Sequence, residues 1–137
     1  MLLTVLTVMV AVLAASCSSG SSLPPADELP ELEFGSGELP ITVPEDFPFP
    51  ERSVIQGTMI DGTRTLTEVV FTVGEAFAAT VAFYELSLPD GGYEITGTDT
   101  QGVRTVISFV GHGIDGTVTI AAAGPGLSEG FLVFVYA

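Results

Sequence analysis

Beyond residue 50 only one stretch of this chain, Glu75 to Leu88, repeats its apolar residues at helical spacing. Every other apolar run there is short, β-rich and bounded by Gly, Pro or Asp. That imbalance constrains the fold most, because one helix and a set of strands must bury their apolar faces against each other. In the helix Phe77, Val81, Tyr84 and Leu88 form the stripe and Phe83 widens it. Pro89 and then Gly91-Gly92 end it. Two strands are predicted before the helix, Val54 to Ile60 and Thr63 to Val73, joined by an Asp61-Gly62 turn. Four are predicted after it: Tyr93 to Thr98, Val103 to Val110, Thr117 to Ala122, and Gly130 to Tyr136. Short connections predict antiparallel neighbours. The expected fold class is therefore α+β, a single helix packed on a mostly antiparallel sheet in the order ββαββββ.

One helix covers one face of such a sheet. Yet Phe131-Leu132-Val133-Phe134-Val135-Tyr136 is apolar at every position, and Val106 and Val110 stand opposite in phase to Ile107 and Phe109. Either the sheet curls around a second small core, or its far face meets another molecule. Curling is the expectation, since closure also protects strand edges.

The segment before the domain has a different composition. Pro44 to Pro50 reads as an extended lead-in that lays Phe47 and Phe49 against the domain edge. Ser18 to Val43 mixes Ser, Gly, Pro24, Pro25, Pro30 and Pro40 with acidic residues, and its few apolar residues keep no helical period. Proline removes backbone donors and like charges repel, so a disordered tether is expected, with a maximum reach of ~80 Å at ~3.1 Å per residue. A sharper alternative makes Leu29, Leu32 and Phe34 a short partner-binding motif.

Charge excludes several functions. The chain has 137 residues and a net charge of −14, from seventeen acidic residues against Arg52, Arg64 and Arg104, with no Lys. Such a surface repels phosphate backbones and anionic headgroups, which argues against nucleic-acid binding and electrostatic membrane docking.

At the amino terminus Leu2 to Ala15 is uncharged and apolar, too short for the ~20 residues that span a bilayer but the length of a signal-peptide core. Ala14-Ala15-Ser16 then puts small residues before Cys17, the only Cys in the chain. The stretch Leu13-Ala14-Ala15-Ser16-Cys17 resembles the lipobox of bacterial lipoproteins, and Ser18-Ser19-Gly20 resembles the flexible start of their mature chains. The resemblance implies cleavage before Cys17, a thioether-linked diacylglycerol on that residue, and residence on the outer side of the cell membrane. Two or three acyl chains would hold firmly, each buried methylene adding ~0.8 kcal/mol. Met1-Leu2-Leu3-Thr4 departs from the pattern by lacking the usual Lys or Arg, which a start further upstream would supply. An ordinary secretory peptide, an uncleaved anchor and a buried cytoplasmic segment are the alternatives. The expected division is 1–16 signal peptide, 17–43 lipidated Cys and tether, and 44–137 extracytoplasmic domain. From Pro44 onward the chain resembles, through Phe83-Tyr84-Glu85-Leu86-Ser87-Leu88-Pro89 and Gly92-Tyr93, small domains of uncharacterised secreted lipoproteins. That likeness implies no activity.

Chemistry-bearing residues are few. His112, the only histidine, lies in Gly111-His112-Gly113 with Asp115 close behind, and reads as a turn residue more readily than as a general base. With one His and one Cys no zinc set is expected. Gly124-Pro125-Gly126-Leu127-Ser128-Glu129-Gly130 lacks the Lys and the spacing of a phosphate loop and reads as a turn. Glu68, Glu85, Glu94 and Asp99 show no paired-carboxylate pattern. Arg104 reads as a solvated or cross-strand residue. The expected protein is thus non-enzymatic and free of metal and cofactor. It would be a lipid-anchored domain that binds a partner, or itself, through its sheet face, or that organises the envelope. The alternative is a small-ligand or lipid-binding lipoprotein with an apolar pocket between helix and sheet.

Overall fold

A computed structural model describes residues 32–136. Seven strands and one helix follow in the order β1 (Leu32–Gly35), β2 (Ser53–Asp61), β3 (Leu66–Val73), α1 (Phe77–Asp90), β4 (Glu94–Gln101), β5 (Arg104–Gly111), β6 (Ile114–Gly124) and β7 (Leu127–Tyr136). The strands form one antiparallel sheet ordered β1-β2-β3-β7-β6-β5-β4. This corrects the expected α+β order ββαββββ. Three strands precede the helix, and strands take 55% of the described residues against 13% for the helix. The extra strand lies in the stretch expected to be a disordered tether. Leu32 to Gly35 pairs with Asp61 to Thr58, and Val43 is buried further on, so residues 32–43 belong to the folded unit. Backbone pairing with β2 supplies what the Pro- and Glu-rich composition of this stretch lacks.

A second correction concerns closure. The sheet ends at β1 on one side and β4 on the other, and its fully buried side chains all belong to one face. It does not curl around a second core. Across the central strands the inward residues align in rows: Thr67, Phe134, Gly116 and Phe109; Val69, Leu132, Val118 and Ile107; Phe71, Gly130, Ile120 and Thr105. Each buried aliphatic or aromatic side chain here is worth about 1.5–3 kcal/mol over its exposed state.

Two pieces of chain cover these rows. The helix buries Thr80, Tyr84 and Leu88 and keeps Phe77, Val81 and Phe83 partly buried. It ends through backbone bonds from Gly91 N–H to the Ser87 carbonyl (2.9 Å) and Tyr93 N–H to the Leu88 carbonyl (2.9 Å). Pro89 sits inside its last turn. Thr80 and Ser128 form a small buried polar pair: the Thr80 hydroxyl stands 3.2 Å from Ser128 Oγ, which donates to the Glu75 carbonyl at 2.7 Å. The lead-in around Pro44 to Pro50 lays Phe47 beneath the helix, its ring 5.4 Å from Tyr93, 5.5 Å from Phe109 and 6.5 Å from Tyr84. Phe49 meets Phe71 edge-on at 5.2 Å. Upstream, Thr42 and Thr67 share a hydroxyl hydrogen bond of 2.6 Å.

Candidate functional site

Alternation along the strands sends the other half of the sheet outward, away from helix and lead-in. On that far face Val70, Phe131, Thr119 and Val106 form one row and Leu66, Val135, Asp115 and Val110 the next on the other side of Glu68, Val133, Thr117 and Ser108. Val70 is 41% exposed, Phe131 38% and Val135 44%, and Phe34 at the β1 edge is 73% exposed. No described residue outside the sheet covers this face with a buried side chain. Single exposed apolar residues are ordinary, and several on one sheet face make that face the candidate contact surface.

Two shallow depressions lie on it. One, about 280 Å³, is lined by Leu66, Ser108, Thr117 and Val133 among others. The other, about 470 Å³, lies at the edge of the face where β5, β6 and β7 meet the β5–β6 turn, and is lined by Val110 of this face and by the inward-facing Ile114 and Tyr136. They share Asp115 and Val135, so an exposed carboxylate stands between a mixed hollow and a mainly apolar one.

Charge on the far face is mainly negative. Glu68, Asp115 and Glu129 stand among the apolar rows, and Asp99 and Glu94 share that side of β4. Arg104 is the basic residue of the far-face strands and makes no ion pair among the described residues. At the β2 end Asp61 is held by Arg64, with Nε 2.5 Å from Oδ2, and by the backbone N–H groups of Thr63 and Arg64. The Arg64 hydrogen bond holds the Asp61 carboxyl below its usual range. The side chain of Asp61 thereby stretches the predicted two-residue turn, and β3 begins only at Leu66.

His112 occupies a different place. Together with Gly113 it makes the β5–β6 turn, and both residues have positive φ (50° and 78°), the backbone of a two-residue type I′ hairpin. Its Nε2 lies 2.7 Å from the Gly91 carbonyl at the end of α1, 3.7 Å from Asp46 Oδ2 in the lead-in, and its ring is 4.7 Å from that of Tyr93. His112 thus ties a hairpin to a helix end, where a donor satisfies an orphan carbonyl. The Tyr84 hydroxyl is buried without a hydrogen-bond partner, and the buried Tyr93 hydroxyl has the Asp46 carboxylate as its polar neighbour. Burial, joined by the neighbouring Asp46 carboxylate, pushes Tyr93 up to about 12, and burial alone pushes Tyr84 well above the usual phenol value. Nothing here pairs His112 with a nucleophile: its close hydrogen bond goes to a backbone carbonyl.

Among the sequence-predicted sites, Cys17 lies outside the described residues, as does the whole 1–16 segment. Asp115 does not join His112 but faces outward on β6. Glu85 lies exposed on the helix, away from Glu68 on the sheet. Within Gly124 to Gly130, Pro125-Gly126 is the β6–β7 turn, and Ser128 goes into the core. The sequence reading placed Tyr84 only in the helix stripe and Tyr93 only at a strand start, and gave Asp46 and the Thr80–Ser128 pair no role, since their contacts join distant segments. Among the described residues no group of His, Cys, Asp and Glu is placed to hold a metal ion, and no helix is long and apolar enough to cross a membrane. Between helix and sheet the volume is filled by Phe47, Phe71, Tyr84, Leu88 and Phe109. Compared with protein-family models, with curated proteins and with solved structures, the chain matches none of them.

Proposed function

We propose that this chain is a lipid-anchored, non-enzymatic binding domain on the outer side of a cell membrane, docking a protein partner on the far face of its sheet. The observation that carries the reading is that face: Val70, Phe131 and Val135 lie exposed on one continuous surface of strands. The anchor rests on the small residues before Cys17 and on its being the only cysteine. Residues 18–31 then join lipid to domain, a maximum reach of about 43 Å at ~3.1 Å per residue, which sets a local concentration of the docking face near the membrane.

A photo-reactive residue in place of Thr117, at the centre of the far face, tests the docking in the native envelope. The same residue in place of Ala82, exposed on the helix, is the control. The reading expects a protein adduct from position 117 and none from position 82. Equal labelling from both positions, or none from position 117, contradicts it.

A further inference from the structure

We infer that the partner surface seated on the far face is apolar at its centre and basic at its rim, with a Lys or Arg side chain that lies along Val135 and ends on Asp115. This rests on the docking reading above and adds the chemistry of the occupant. The support is the pattern of charge around the apolar rows. Glu68, Asp115 and Glu129 stand on the same side of the sheet as Val70, Phe131 and Val135, with Arg104 as the one cation of those strands. Asp115 is exposed and forms part of the wall of both depressions, next to Val135 in each. That is the arrangement a long cationic side chain fits: its methylene stem covers apolar wall while its head meets a carboxylate at the rim.

Other occupants fit less well. A second copy stacked face to face would bring Glu68 and Asp115 toward the same carboxylates, between two chains each carrying a net charge of −14. Like charges across an interface are strongly disfavoured. An anionic bilayer surface meets the same repulsion. A basic-rimmed protein surface satisfies both the apolar centre and the acidic surround.

The test uses the full chain carrying the photo-reactive residue at position 117, in wild-type background, with Asp115→Lys, and with Glu85→Lys on the exposed helix side as a charge-matched control. Thermal melts within a few degrees of wild type establish that each variant is folded. The expected result is a protein adduct whose cross-linked segment contains Lys or Arg. Asp115→Lys should lower its yield roughly tenfold or more and Glu85→Lys less than about twofold. An adduct that survives Asp115→Lys undiminished, or whose contacted segment is acidic, overturns the inference and leaves the docking reading standing. An adduct only with a second copy of the chain also overturns the inference. Lipid adducts alone, or no adduct, overturn the docking reading itself.

Discussion

Gly130 on β7 lies directly opposite Phe71 on β3, and the Phe71 ring occupies the space where a side chain at residue 130 would project. The missing Cβ lets the ring lie across the strand and reach Tyr84 of the helix, 6.4 Å away between centroids. Gly130→Ala is therefore expected to destabilise the domain by about 1–3 kcal/mol through overpacking. Gly57→Ala serves as control, since nothing stands within 4 Å of a Cβ there, and should stay within about 0.5 kcal/mol of wild type. Chemical denaturation of both variants checks the pair, and Phe71→Leu in the Gly130→Ala background should recover part of the loss.

The legible parts of this fold were those whose signal is local. Phe77, Val81, Tyr84 and Leu88 mark the helix by spacing alone, and the observed element is displaced by two residues at each end. Strand β1 was not legible. Leu32 and Phe34 both stay exposed, so burial leaves no trace in the sequence, and what makes the strand is pairing with Met59 and Asp61. The apolar run Phe131 to Tyr136 showed that both faces of β7 carry apolar side chains. Whether the outward half meets a second core or lies open depends on strand order, which no local pattern encodes. In the same way His112 was visible as a turn residue, but its contacts with Gly91 and Asp46 arise only when helix, hairpin and lead-in converge.

Phe47 is the one side chain of the lead-in that packs against Tyr84, Tyr93 and Phe109 together. Around it the backbone makes only turn bonds, such as Phe47 N–H to the Pro44 carbonyl at 3.0 Å. Side-chain packing therefore fastens this segment. Phe47→Ala is expected to cost about 3–5 kcal/mol. It should also raise hydrogen exchange in residues 42–50 more than in β6 and β7, as mass spectrometry of deuterated peptides would show.

Tyr84 and Tyr93 give an alkaline prediction. Their folded pKa values lie above the unfolded value near 10, so the stability they contribute is whole below pH ~10 and is lost as pH rises toward the folded values, about 12 for Tyr93. Absorbance near 295 nm should show Tyr84 un-ionised and Tyr93 mostly un-ionised at pH 11 while the fold persists, and both ionising on unfolding. Tyr93→Phe removes the phenol that must ionise beside the Asp46 carboxylate. It should flatten the fall in stability between pH 10 and 12.

Asp61 works at the other end of the scale. Its folded pKa is depressed, chiefly by Arg64, so its contribution is present above the unfolded value near 3.9 and is lost as pH falls below it. Wild type should therefore lose more melting temperature than Asp61→Asn on going from pH 6 to pH 3. Equal losses in the two proteins would mean that the Arg64 pairing contributes nothing to the fold.

The proposed docking role requires that the domain be held at a membrane, so the proposed anchor at Cys17 is the point on which the account turns. The intact mass of the mature protein recovered from the membrane fraction tests it most directly. The account predicts a chain that begins at Cys17 and carries a diacylglycerol on the sulfur. A chain that retains Leu2 to Ala15 with an unmodified Cys17 thiol would contradict it.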